Sequence, residues 1–195
     1  MSIVSYDYAL LETLRTSVGE WSKEHFDRSL PPDGSSFGML RCAAGMAEEL
    51  SELICGRDKQ EYLDAVADIC IYGLDLCYRA GFGMRDMLTC DDETSIWENH
   101  GSPFLSSTVL QVQITNLSVH IGKICHGCLK RSQGIRGTED HLADIKINMK
   151  HVWGLCRSVC AGVGEDLNRV VYNTACSVIK RDWTKNPDGA HEETT

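Results

Sequence analysis

Five acidic residues stand at helical spacing in the segment GMAEELSELICGRDKQEYLDAVADICIY. Glu49 and Glu52 lie three residues apart, so both project from one face of a helix. Further along the segment, Glu61, Asp64 and Asp68 follow the helical period and share a face of a second helix. Carboxylates that border an apolar stripe repel one another because partial burial weakens the screening of their charges. The pattern therefore predicts a cation between these helices, and hard oxygen ligands select Mg²⁺ or Mn²⁺.

The strings EELSE and DAVADICIY resemble the ExxE…ExxD signature of the MazG-like all-α nucleoside triphosphate pyrophosphohydrolases. The resemblance implies that the protein hydrolyses a (d)NTP to the (d)NMP and pyrophosphate on a magnesium cluster. Glu49, Glu52 and Asp68 are the metal ligands that it implies. Ala65 stands where the family has a further acid, three residues before Asp68. We expect Asp64, one residue earlier, to point to nearly the same place and to replace that acid.

Glu48 and Glu61 also have possible roles at this site. Glu48 adjoins Glu49 but is rotated about 100° around the helix. The resemblance implies that Glu48 orients or deprotonates the attacking water. Glu61 remains the alternative to Asp64 as the fourth ligand. The competing interpretation of all these acids is a solvated acidic face, which charge runs usually form.

Basic residues and one aromatic residue are the candidates for substrate binding. The string LKRSQGIRG resembles a segment that follows the ExxE helix in phage-type MazG-like proteins, and here it lies in the second half of the chain. Cations are needed where metal ions do not reach the phosphates, so we predict phosphate contacts from Lys130, Arg131 and Arg136. Trp21 is predicted to stack on the base. The alternatives are an exposed basic turn and a tryptophan of the apolar core.

Apolar residues recur at helical spacing along most of the chain, and no stretch alternates as a strand does. We expect an all-α, MazG-like fold of one domain (1–195), with a four-helix-bundle core built from two repeated helix pairs and additional N- and C-terminal helices. The predicted helices lie at about 5–28, 38–56, 60–80, 105–130, 139–160 and 165–181. The predicted divisions are a metal-binding helix pair at 38–83, a linker at 84–104, a degenerate second pair at 105–164 and a disordered tail at 186–195.

The second helix pair repeats the first without its acids. IYGLDLCYRAGFG lies over VWGLCRSVCAGVG without gaps, and upstream ELSELICG lies over HIGKICHG. In this register the places of the four expected ligands Glu49, Glu52, Asp64 and Asp68 are taken by His120, Lys123, Ile145 and Met149. We therefore expect one metal centre per chain, although short amphipathic matches also arise by chance.

The composition argues against several classes of function. A formal net charge of −9 over 195 residues argues against general nucleic-acid binding, which needs a basic surface. No apolar run approaches the roughly 18–20 residues that span a membrane, and Met1 begins no signal-peptide pattern. Most of the ten cysteines fall in apolar stripes, so we expect them to be reduced, as in a cytoplasmic protein. The alternative is a zinc site on four of them, Cys125, Cys128, Cys156 and Cys160.

Together these features predict a cytoplasmic, Mg²⁺- or Mn²⁺-dependent nucleoside triphosphate pyrophosphohydrolase of phage type. Its predicted ligand is a nucleoside triphosphate, with neither nucleic acid nor a membrane as partner. One alternative within the class hydrolyses another nucleotide, such as phosphoribosyl-ATP or dUTP. The alternative outside the class is a non-enzymatic helical interaction module. The sequence leaves open the preferred base or sugar, the number of metal ions and whether the chain forms a homo-oligomer.

Overall fold

A computed structural model describes residues 8–27, 35–88, 107–135 and 138–181 of the chain. Within these ranges every regular element is a helix, which confirms the all-α prediction. None of the described helices combines the length and the apolarity needed to cross a membrane. The helices are α1 (Tyr8–Phe26), α2 (Ser35–Cys55), α3 (Lys59–Ala80), α4 (Met84–Leu88), α5 (Ser107–Ser132), α6 (Thr138–Gly162) and α7 (Leu167–Lys180).

Helix α3 is the centre of the fold, and local signals set both of its ends. The Asp58 carboxylate caps its first turn by accepting hydrogen bonds from the backbone N–H groups of Gln60 and Glu61. Gly81 ends it in the left-handed conformation, with φ of 72°. Most residues between 63 and 77 are buried, because α3 packs against α1, α2, α6 and α7. A helix that is covered on nearly all sides is apolar on nearly all sides.

Four helices, α2, α3, α5 and α6, form the core as two antiparallel pairs. Helix α2 packs along α3 and α5 packs along α6, while α2 also contacts α5 and α3 also contacts α6. Small residues bring the helices together within and between these pairs. A Cβ on Gly127 of α5 would lie 2.8 Å from Ile145 of α6, and one on Gly73 of α3 would lie 2.9 Å from Met149 of α6.

Helix α4 lies where the sequence predicted the start of a linker. Met84, Met87 and Leu88 are buried, and the backbone N–H of Met84 donates to the Glu12 carboxylate over 2.8 Å. The first residues of the predicted linker (84–104) are therefore packed against the bundle rather than solvated. The remainder of that linker and the predicted tail (186–195) lie outside the described residues.

Helix α1 is joined to α2 and α3 through a buried polar cluster. Ser22 on α1 donates to Asp75 Oδ2 over 2.5 Å, and Arg79 Nε donates to Asp75 Oδ1 over 2.8 Å. Arg79 Nη1 also donates to Asp27 over 2.6 Å, and Arg41 Nη2 donates to Ser22 over 2.7 Å. Each buried charge in this cluster has a hydrogen-bonding or oppositely charged partner. These partners offset the cost of removing the charges from water. The cluster holds α1 along the C-terminal half of α3 and ties it to Arg41 of α2.

Candidate active site

Two contacts establish how α2 and α3 face each other. Cys42 Sγ donates to Asp75 Oδ2 over 3.2 Å. A Cβ on Gly45 would lie 2.5 Å from Cε1 and Cζ of Tyr72, so this glycine allows the tyrosine ring to lie directly against α2. The two contacts lie three residues forward on α2, from Cys42 to Gly45, and three residues backward on α3, from Asp75 to Tyr72. The two helices are therefore antiparallel. The same register continues toward the predicted ligands.

Continuing this register by one helical turn places Glu49 opposite Asp68. The electrostatics agree, because the pKa of Glu49 is raised to about 8, first by burial and then by Asp68, Glu52 and Glu48. The charged groups that raise it are all carboxylates, so they disfavour a further negative charge at this point. In the same register Ala65, which is buried, lies opposite Glu52. The structure therefore brings Glu48, Glu49, Glu52 and Asp68 together.

The two candidates for the fourth ligand lie on the exposed first turns of α3. The Asp64 carboxylate accepts a hydrogen bond from Gln60 Nε2 over 2.8 Å. The Glu61 carboxylate accepts one from the backbone N–H of Arg57 over 2.6 Å. Neither is among the groups that raise the pKa of Glu49, whereas Glu48 is. The choice between Asp64 and Glu61 stays a prediction, and Glu48 is the additional carboxylate that approaches Glu49.

The donor set of this cluster is chemically suited to a hard divalent cation, since every member is a carboxylate. In the described ranges no three His, Cys, Asp or Glu side chains already stand in metal-ligand geometry. Glu49 is half-buried, while Glu48 and Glu52 are exposed and are not held by neighbouring side chains in a packed core. Binding a cation would therefore require these glutamates to turn toward it and Glu49 to lose its proton.

Tyr72 belongs to this site, although sequence reasoning did not select it. Its pKa is raised to about 12 by burial and then by Glu49, Asp68 and Glu48, so it stays protonated beside the carboxylates. The phenol hydroxyl is thus a hydrogen-bond donor at the edge of the cluster. Two sequence signals could have identified it: Tyr72 is one turn after Asp68, and the facing Gly45 is one turn before Glu49.

Trp21 lies on α1, near the buried polar cluster rather than beside the carboxylates. It is half-buried, and its ring meets Phe26 edge-on with 5.4 Å between centroids. Its neighbour Ser22 bonds to Asp75, which is about 10 Å along α3 from Asp68. Stacking of this ring on a base stays a prediction.

Two of the predicted phosphate-binding residues, Lys130 and Arg131, stand at the far end of the bundle from Glu49. Lys130 and Arg131 are half-buried in the last turn of α5, and Arg136 lies outside the described residues. Helix α5 runs antiparallel to α2 and contacts it through a hydrogen bond from Cys125 Sγ to the Ala43 carbonyl. Counting along both helices from that contact, Lys130 is separated from Glu49 by about 16 Å along the bundle axis. The structure does not bring Lys130 and Arg131 to the carboxylates.

The cysteines behave as small apolar residues. Every cysteine that the structure describes is free, and Cys128, Cys156 and Cys160 are buried. Burial raises the pKa of Cys128 and of Cys160 to about 12. Buried free cysteines of this kind pack as small hydrophobic side chains. The cysteines therefore favour the core interpretation over a zinc site.

No protein-family model matches this chain, and neither a curated protein nor a solved structure matches it significantly. The described residues form an all-α protein with one cluster of carboxylates, on α2 and α3. A function can be inferred from the chemistry of that cluster.

Proposed function

We propose that the protein is a Mg²⁺-dependent hydrolase that cleaves a (d)NTP to the (d)NMP and pyrophosphate. The observation that carries the proposal is the environment of Glu49, whose pKa of about 8 results from burial beside three other carboxylates. Placing several acids where they repel one another is unfavourable without a cation. Pyrophosphate-releasing hydrolysis is the activity that the resemblance of EELSE and DAVADICIY implies.

In this proposal Glu49, Glu52 and Asp68 hold the metal, and Asp64 or Glu61 completes the set. Magnesium, when bound, supplies neutralisation of the phosphate charge and a water of lowered pKa. Glu48 is exposed and projects about 100° around α2 from Glu49, so it can approach a water from beside the ligands. Its role is to orient that water and accept its proton.

Substrate binding in this proposal extends from the carboxylates toward α1. Tyr72 lies between the carboxylates and the buried cluster of Cys42 and Asp75, and its hydroxyl can donate to a phosphate oxygen. Trp21 is the candidate for stacking on the base. Lys130 and Arg131 lie too far along the bundle axis from Glu49 to contact phosphates held by a metal there, so they are not part of the proposed site. A phosphate contact from Arg136 stays a prediction.

The test is to incubate the full chain with each of the eight standard NTPs and dNTPs and Mg²⁺, and to measure pyrophosphate and orthophosphate separately. We expect equal amounts of pyrophosphate and nucleoside monophosphate from at least one substrate. Glu49→Gln and Asp68→Asn should lower turnover by on the order of a hundredfold or more, because each removes a ligand from the charge-stabilising site. Glu20→Gln is the matched control, since Glu20 is an exposed acid on α1.

Two results would contradict the proposal. One is the absence of hydrolysis of all eight nucleotides with either Mg²⁺ or Mn²⁺. The other is turnover in Glu49→Gln and Asp68→Asn that matches Glu20→Gln. Release of orthophosphate in place of pyrophosphate would assign the protein to a different class of phosphohydrolase.

A further inference from the structure

The outer face of the α5–α6 pair carries a groove of about 680 Å³ that the proposed function does not use. It lies on the side of these helices away from their core residues, such as Ile121 and Ile145. Its lining is rich in groups that carry or can acquire positive charge: His120, Lys123, His126, His141 and His151. Asp144 is the acid among its lining residues. In a chain of net charge −9, such a lining is unusual.

We propose that this groove binds the oxyanion of a phosphate group, with Lys123 and the protonated form of His120 as its donors. The two residues lie three apart on α5, so they share one face of the helix. Lys123 is exposed and supplies a fixed positive charge. Phosphate is the common oxyanion that combines high charge with several acceptor oxygens.

A chain of hydrogen bonds defines where His120 takes up its second proton. Asn148 Nδ2 donates to the backbone carbonyl of Asp144 over 2.7 Å, so its Oδ1 is left as an acceptor. His120 Nδ1 therefore donates to Asn148 Oδ1, over 2.8 Å. Because Nδ1 is bonded to Asn148, a second proton can go only to Nε2. Protonated at Nε2, His120 gains a second N–H donor for an oxyanion.

The ring of His151 stacks on His120, with 4.4 Å between the centroids and 19° between the planes. One imidazolium can stack on a neutral ring, whereas two would repel each other. The other charged or titratable groups of the groove are Lys123 and His126 on α5 and Asp144 and His141 on α6. His141 is occupied, because its Nε2 lies 2.8 Å from the Ile135 carbonyl. On its other side, α5 contacts α2 through Cys125 and the Ala43 carbonyl.

The groove is large enough, and its walls are apolar enough, to bind a molecule larger than an isolated phosphate. Its volume falls within the range of sites for nucleotide-sized molecules. Val119 and Ile147 on its walls are 48% and 55% exposed and offer an apolar surface to a sugar or base. The shared chemistry is a phosphate group, whose source is either inorganic pyrophosphate or a nucleoside monophosphate.

The test is calorimetric titration of the full chain with pyrophosphate and, separately, with AMP, in EDTA at pH 6.0 and pH 8.0. EDTA removes divalent cations, so phosphate cannot bind at the carboxylates through a metal. While Nδ1 is bonded to Asn148, only the protonated imidazole can donate from Nε2. We therefore expect binding about tenfold tighter at pH 6.0 than at pH 8.0 and, from buffers of different ionisation enthalpy, proton uptake on binding.

Two variants test the named donors. Lys123→Met should weaken binding about tenfold or more, because it removes a charge-assisted contact. His120→Gln should weaken binding at pH 6.0 and abolish most of the pH dependence. Lys180→Met is the control, since Lys180 is an exposed lysine on α7. Glu49→Gln should bind the anion as the wild type does, which separates this site from the proposed active site.

The proposal is overturned if the wild type binds neither ligand at millimolar concentration. It is also overturned if Lys123→Met binds as tightly as Lys180→Met, or if affinity does not change between the two pH values. Tight binding of AMP with weak binding of pyrophosphate assigns the groove to nucleotides, and the reverse assigns it to the inorganic anion.

Discussion

The ring of Tyr72 lies against the backbone of Gly45, so close that a Cβ on the glycine would stand 2.5 Å from two ring carbons. This contact holds α2 and α3 in the register that places Glu49 opposite Asp68. Any side chain at position 45 must displace the ring or separate the helices. The glycine is therefore required by the approach of the helices, and not by its backbone conformation.

Replacing this glycine gives the first prediction. Gly45→Ala should lower the free energy of unfolding by about 1–3 kcal/mol, because overpacking forces side chains from their rotamers. The control is Gly154→Ala on α6, where a Cβ would meet nothing within 4 Å. That change should be neutral or stabilising by up to about 1 kcal/mol, through helix propensity. Urea unfolding measures both, and equal stability of the two variants would contradict the register.

The second prediction concerns the buried pairing of Asp75 with Arg79. Each side chain is 5% exposed, and Arg79 also bonds to Asp27. Arg79→Met should cost about 3–5 kcal/mol of unfolding free energy, because it leaves buried carboxylates without their principal partner. Lys59→Met breaks an exposed ion pair with Glu165 and should cost about 0–1 kcal/mol. If the two variants are equally stable in urea, the cluster does not anchor α1.

This cluster shows the limit of sequence reasoning for the fold. The long helices have apolar periods over several turns, and their predicted and observed ends differ by only a few residues. The partners Ser22 and Asp75 are 53 residues apart, and no local pattern links them. Helix α4 has five residues, too few for a period to be visible, and its burial depends on packing against other helices.

Part of the candidate site could likewise be predicted from the sequence, and part of it could not. The grouping of Glu49, Glu52 and Asp68 could be predicted, because it follows from helical spacing and from two adjacent antiparallel helices. The roles of Tyr72 and Lys130 could not, because they depend on the register between helices. That register places Tyr72 beside the carboxylates. Lys130 lies about 16 Å from them along the axis.

The third prediction is a pH dependence of stability. The pKa of Glu49 is 4.5 at its ordinary value and about 8 in the folded protein. Between these values the folded chain holds a proton that the unfolded chain has lost, so the contribution of Glu49 to stability falls as pH rises through this window. Glutamine does not ionise, so the Glu49→Gln variant lacks this fall in stability. In EDTA, the variant should therefore become progressively more stable than the wild type from pH 4.5 to pH 8.

Thermal unfolding at several pH values measures this difference. Taking the difference between variant and wild type cancels the other titrating groups that the two share. Glu20→Gln, an exposed acid on α1, should follow the wild type at every pH. A constant offset between Glu49→Gln and the wild type across the window would show that Glu49 ionises normally and is not crowded by other carboxylates.

The last prediction compares the two helix pairs at matching positions. Glu52 on α2 is one of the carboxylates that raise the pKa of Glu49, whereas its repeat counterpart on α5 is Lys123. A lysine donates hydrogen bonds and repels a divalent cation, so the second pair cannot hold a hard metal at this position. Glu52→Ala should therefore abolish Mg²⁺ binding and turnover, while Lys123→Ala should leave both within a few-fold of the wild type.

Both residues are exposed, so neither change should unfold the protein. Metal titration and turnover on the same preparations measure the pair. Two equivalent carboxylate-bound metal clusters in one chain, or a Lys123→Ala protein as inactive as Glu52→Ala, would refute a single centre on residues 48–68.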